Sequence, residues 1–119
     1  MLLSIILFKK MFVEFKKSDK EKKKMTAIFY DDNNKKIKTT HFGFENPEDK
    51  NNDFTRHKDE ARKQRYLTRS KSHLKTGDFK RAGYLAKWIL WNEPTLKASI
   101  KSYMKEFNLK PYKPNKKSK

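Results

Sequence analysis

The stretch "KRAGYLAKWILWNEPTLKASIKSYMKEFNL", residues 80 to 109, holds both tryptophans of the chain and most of its regular apolar spacing, so it constrains the fold more than any other segment. On a helical wheel Phe79, Leu90, Gly83, Ala86, Ala82, Ile89 and Leu85 fill one broad apolar arc. Tyr84, Trp88 and Trp91 lie opposite, interleaved with Lys80, Arg81 and Lys87. A helix with two apolar faces either sits at the centre of a core or exposes its aromatics. Gly77 supplies turn chemistry ahead of it, and Asp78 suits the N-cap. A further helix follows at once. Pro94 suits its first position, Leu96, Ile100, Tyr103, Met104 and Phe107 recur at i, i+4, i+7, i+8 and i+11, and Asn108 can end it. The short connection at residues 92–94 predicts an antiparallel helical hairpin.

The rest of the chain sets the context for this block. Its 119 residues suffice for one small domain with a modest core. Charged residues (38%) outnumber apolar ones (34%), close to the border where burial no longer offsets the entropy of ordering, so part of the chain is expected to be disordered. The formal net charge is +17, and it is unevenly placed: residues 1–54 hold 12 cations and 9 anions, residues 55–119 hold 19 and 5. Such an asymmetry points to an acidic partner: a polyanion, an acidic protein surface or anionic lipid. A lysine-rich background composition accounts for the same surfaces without any partner.

Ahead of the aromatic block the pattern is β. "MFVEFKK", residues 11–17, alternates apolar and polar residues as a strand does, and a solvated charge run follows. Residues 26–42 read as a hairpin: Ile28, Phe29 and Tyr30, a turn cluster at residues 31–34, then alternating Ile37, Thr39 and His41. Residues 43–54 read as a loop. The expected fold is α+β: a small antiparallel β-hairpin or sheet followed by three helices, the last two forming a helical hairpin, with a disordered basic C-terminal tail. The expected division is an N-terminal apolar and charged extension at 1–24, one domain at 25–109 and a flexible tail at 110–119. The apolar run at residues 1–8 is too short to span a bilayer and lacks the flanks of a signal peptide. A first strand or helix on the core, a weak amphipathic membrane contact, and translation starts at Met11 or Met25 all stay open.

The first helix expected is residues 56–73. On it Lys58, Arg62, Arg65 and Arg69 fall within about 60° of one another, while Leu67 and Leu74 face the other way. Guanidinium forks pair bidentately with oxygen anions, so this stripe suits phosphates or carboxylates. A plain solvated helix face carries such stripes too, and Asp59 and Glu60 neutralise its start. Candidate anion-binding or nucleic-acid-binding residues are therefore Lys58, Arg62, Arg65, Arg69, Lys80, Arg81 and Lys87. Tyr84, Trp88 and Trp91 are either core rings or a stacking platform beside those cations.

Nothing in the pattern assembles a catalytic site. There is no cysteine, no glycine-rich phosphate loop and no nucleophile motif, and His41, His57 and His73 lack a spacing that brings two to one helix face. No cofactor and no metal are expected, and the protein is read as a non-enzyme. "RHKDEARKQRY", "KWILWNEPTLKASI" and "FNL" resemble the signature of an uncharacterised family of short basic proteins encoded by nucleocytoplasmic large DNA viruses, the giant viruses. The likeness spans about residues 25–109 and is most specific at Trp–Ile–Leu–Trp–Asn; no functional residues are carried over from it. It implies a virion structural protein: a minor capsid or internal component that bridges acidic faces of other virion proteins or contacts packaged DNA, located in the virion and, during assembly, in the host cytoplasm. The alternative is a sequence-nonspecific module binding DNA or RNA through the basic helix and tail.

Overall fold

The computed structural model describes residues 10–113, and they fold as α+β around a four-stranded mixed sheet. Strand β1 (Met11–Lys17) alternates as its sequence predicts, β2 (Lys23–Tyr30) and β3 (Lys36–Phe44) form the predicted hairpin, and β4 is Leu109–Pro111. The sheet order is β3-β2-β1-β4. β1 pairs antiparallel with β2 from Phe12 opposite Tyr30 to Lys17 opposite Met25, so the sheet begins before residue 25. In the hairpin turn the Asp31 carboxylate accepts from the backbone N–H groups of Asn33 and Lys35, both at 2.9 Å, and Asn34 takes a left-handed φ of 64°.

Helical structure departs from three regular helices. The expected helix at 56–73 is three pieces: α1 (Phe54–His57), α2 (Glu60–Arg69) and a 3₁₀ segment (Lys71–Thr76). Lys58 ends α1 with φ 56°, and the Asp59 carboxylate starts α2 by accepting from the N–H groups of Ala61 (3.0 Å) and Arg62 (3.3 Å). Gly77, at φ 69°, closes the 3₁₀ segment.

The tryptophan helix is a single α-turn, α3 (Ala82–Leu85), running into a π-helical turn at Ala86–Leu90. A turn closed by i→i+5 bonds advances less per residue, so a wheel drawn at the α period misassigns the faces of residues 86–91. Asp78 does not cap this segment; its carboxylate accepts from the Lys80 N–H at 3.0 Å inside a turn. Helix α4 is Leu96–Glu106, capped by Thr95 and not begun by Pro94. α4 packs against the π turn, and buried Ser99 fastens the link between them, accepting from Glu93 N–H at 2.9 Å. The helical hairpin is thus a short irregular arm against one regular helix. Asn108, at φ 54°, turns the chain out of α4 as expected.

That turn has a consequence the sequence hides. The chain returns along β1 as β4, parallel to it, with Met11 opposite Leu109 and Val13 opposite Pro111. The sheet is therefore mixed, and residues 110–112 of the expected tail pack on it: Tyr112 stacks on Tyr30 with centroids 3.6 Å apart, while residues 114–119 lie outside the described residues. Pro111 is tolerated because an edge strand needs no N–H on its outer side.

The core lies between the sheet and the helical arm: Val13, Ala27, Phe29 and Phe42 from the strands, Leu85 and Ile89 from the arm. Tyr103 is fully buried, and its hydroxyl donates to the Phe79 carbonyl at 2.7 Å. Two glycines permit close approach. A Cβ on Gly43 would lie 2.6 Å from Leu90 Cδ1 at a φ of +84°, and one on Gly83 would lie 2.7 Å from His73 Cβ. The apolar run at residues 1–8 lies outside the described residues.

Candidate anion-binding surface

Lys58 and the three arginines do not share one helix. Lys58 sits in the bend before α2, and its ammonium turns back to donate to the Thr55 carbonyl at 2.8 Å. Arg62 leans onto Asp49 (3.4 Å), a half-exposed pair of small energetic weight. Arg65 and Arg69 are exposed on α2 and make no ion pair, and Lys71 and Lys75 on the 3₁₀ segment continue the same exposed cationic run. The stripe survives in shortened form, from Arg62 through Arg69, because Asp59 resets the helix start.

The second group is dispersed. Lys80 pairs with Asp78 (3.3 Å) and lies over the Phe79 ring at 4.9 Å. The hydrogen bond from the Lys80 N–H, together with the Lys80 ammonium, lowers the pKa of the Asp78 carboxyl. Arg81 is exposed and unpaired. Lys87 lies 4.5 Å over the Trp88 ring, and burial, followed by repulsion from Lys63, lowers its pKa.

Tyr84, Trp88 and Trp91 do not converge into one platform. The Tyr84 hydroxyl donates to the Leu74 carbonyl (2.9 Å), the Trp88 ring meets Phe107 edge-on (5.4 Å), and Trp91 stacks flat on Tyr66 at 4.3 Å and 3°. His57 closes the Trp91 side at 5.3 Å. All three rings are half-buried; Tyr84 also meets Phe107 edge-on (6.2 Å) and so shares that ring with Trp88, whereas Trp91 packs apart from both, on α2. Trp91 and Tyr66 together stitch α2 to the end of the π turn. Burial raises the Tyr66 pKa.

The histidines also stay apart. His41 Nδ1 lies 2.8 Å from Thr26 Oγ1 and 2.9 Å from Ser18 Oγ. His57 Nδ1 accepts from the Asp59 N–H at 2.9 Å, its Nε2 is buried without a partner, and burial, then Arg62, depress its pKa. Among the described residues no three His, Asp or Glu side chains gather as metal ligands, and no helix is long and apolar enough to cross a membrane.

Sequence reasoning missed the most deeply placed charges. Lys24 and Asp53 form an ion pair with side chains only 5% and 3% exposed, and Asp53 also caps α1 by accepting from Thr55 N–H (3.0 Å) and Thr55 Oγ1 (2.5 Å). Beside that pair opens a cleft of about 650 Å³. Phe15, Met25, Leu90, Leu96 and Ile100 supply its apolar wall, and Lys16, Lys17, Lys23 and Arg56 its cations, against one acid, Glu45, outside the buried pair. Lys24 belongs to a charge run that reads as solvated, and its partner lies 29 residues away, so no local signal marks either. The alternation of "MFVEFKK" was the one usable hint at the cleft, since it places Phe15 on the core face.

No curated protein and no solved structure matches this chain. Residues 13–70, from β1 to the end of α2, match the model of a family of unknown function, DUF5754; the chain is similar to that family over the first three strands and the basic helix, and the match ends before the tryptophan block and β4.

Proposed function

We propose that this protein is a non-enzymatic binder of acidic surfaces: a small basic virion component that bridges acidic faces of other virion or capsid proteins, or contacts packaged DNA. The observation that carries the reading is the supply of uncompensated cations. Only four ion pairs occur among the described residues, made by Lys24, Arg62, Lys63 and Lys80. Arg65, Arg69, Lys71, Lys75 and Arg81 remain exposed and unpaired on the helical side. Fixed cations on rigid elements attract a polyanion without reading its sequence. The assignment to a large DNA virus rests on the resemblance of the three sequence blocks. Quantitative mass spectrometry of purified particles is the test: a fixed ratio to the major shell protein is expected, and absence from particles overturns the virion role.

A second reading, a nucleic-acid-binding module acting outside the particle, draws on Arg69. It lines a cleft of about 400 Å³ together with Tyr66, Trp91, His73 and Phe44, which is 57% exposed. An open aromatic beside cations suits stacking of unpaired bases. Preference for single strands over duplex, lost in Phe44→Ala, is the expected signature; equal affinity for both contradicts it.

A further inference from the structure

β1 is only partly covered by β4. Pairing between them runs over Met11, Phe12 and Val13, and it closes with the Tyr112 N–H donating to the Val13 carbonyl at 3.0 Å. Val13 thus directs its backbone toward β4. By the alternation of an extended chain, Phe15 and Lys17 direct their N–H and C=O groups to that same side, while Glu14 and Lys16 face β2. The Ser18 N–H, which donates back to the Lys24 carbonyl at 3.2 Å, keeps that parity. Among the described residues no strand lies beside Phe15, Lys16 and Lys17 on the β4 side.

This free edge borders the 650 Å³ cleft. Across from it stand Leu96, 37% exposed, and Ile100 of α4, with Met25 and Leu90 beneath. Around it stand Lys16, Lys17, Lys23 and Arg56, and no ion pair involves any of the four. Backbone donors and an apolar slot are the parts of a strand-addition site, and the cationic rim adds a preference for acidic residues.

We propose that the Phe15–Lys17 edge accepts an extended acidic segment of a partner protein, added as a strand in line with β4, with alternate apolar residues in the cleft and carboxylates on the lysine rim. Charge selects this occupant. A second copy would set its own Lys16 and Lys17 against the same residues, the arrangement by which edge lysines prevent self-pairing. The chain's own continuation, KPNKKSK, brings four lysines and no acid to a rim that is already cationic. The proposal deepens the reading of the protein as a binder of acidic partners and rests on it.

The test uses the full chain and synthetic peptides of about ten residues, a typical strand length with flanks. One alternates Val or Leu with Glu; the second has the same composition scrambled to remove the alternation. Duplex DNA and polyglutamate serve as generic polyanions. Expected are affinity for the alternating peptide about tenfold above the scrambled one, and rapid amide exchange at Phe15 and Lys17 that slows about tenfold or more when that peptide binds. Lys17→Pro, which removes one edge N–H, should abolish the preference, whereas Lys17→Gln should keep it at lower affinity. Peptide binding that leaves both amides unprotected overturns the proposal. Protection already present in the free chain does so too, since the edge is then occupied by the protein's own residues. If DNA or polyglutamate binds and the alternating peptide does not, the edge proposal falls and the acidic-partner reading stands; if none binds, both fall.

Discussion

The Lys24 ammonium meets the Asp53 carboxylate out of water, where the start of β2 lies beside the start of α1. Desolvating two charges is costly, and their attraction recovers that cost only while both are present and otherwise hydrogen-bonded. Lys24→Met alone should therefore cost about 3–5 kcal/mol. The double variant Lys24→Met with Asp53→Asn, which preserves a capping side chain for Thr55, should recover most of that loss. Chemical denaturation of the four proteins in the cycle checks it, and a single-variant loss below about 1 kcal/mol would show the pair to be solvated.

The flat stack of Trp91 on Tyr66 joins α2 to an arm that has little regular helix of its own. Truncating a half-buried indole at such a joint should cost about 2–3 kcal/mol. Trp91→Ala is expected to lower the melting temperature, with Trp91→Phe intermediate. Unchanged melting together with weakened polyanion binding would make the ring a contact surface instead.

His57 accepts from the Asp59 N–H through Nδ1 and buries Nε2 without a partner, so the folded state favours the neutral ring. Its pKa in the fold lies below the ordinary 6.5. The neutral form is the one the fold holds, so the His57 contribution to stability is complete above pH about 6.5 and declines as pH falls below it, because the unfolded chain takes the proton first. Melting temperatures at pH about 7.5 and about 5.5 should differ more for the native chain than for His57→Gln. An equal difference would mean that His57 titrates normally.

These three sites mark how far the sequence could be read. The hairpin was legible because Ile28, Phe29 and Tyr30 flank an Asp–Asn turn whose chemistry is local. The "MFVEFKK" strand was legible from alternation, but its neighbour β4 was not, since "LKP" is three residues long and follows a helix. The break before α2 was written in Asp59, a capping residue followed by Glu60, yet the long cationic stripe argued more loudly for a continuous helix. The π turn was beyond reach because its faces obey a different period, and with it went the wheel's placing of Trp91 beside Tyr84 and Trp88. The Lys24–Asp53 pair needed a contact across 29 residues that no local pattern encodes.

The exposed part of the stripe makes a separate prediction. Arg65→Gln with Arg69→Gln should leave folding stability within about 0.5 kcal/mol, because neither side chain holds an internal partner. The same change should flatten the dependence of polyanion affinity on salt by up to about two counterions. A double variant that unfolds more readily, with its salt slope intact, would assign both arginines to the fold.

Whether attraction by unpaired cations is what this protein does can be measured on the unaltered chain. Its affinity for duplex DNA and for polyglutamate, followed from about 50 to about 200 mM salt, should fall linearly on logarithmic axes for both ligands. Binding that ignores salt, or no binding to either at low salt, would contradict the account.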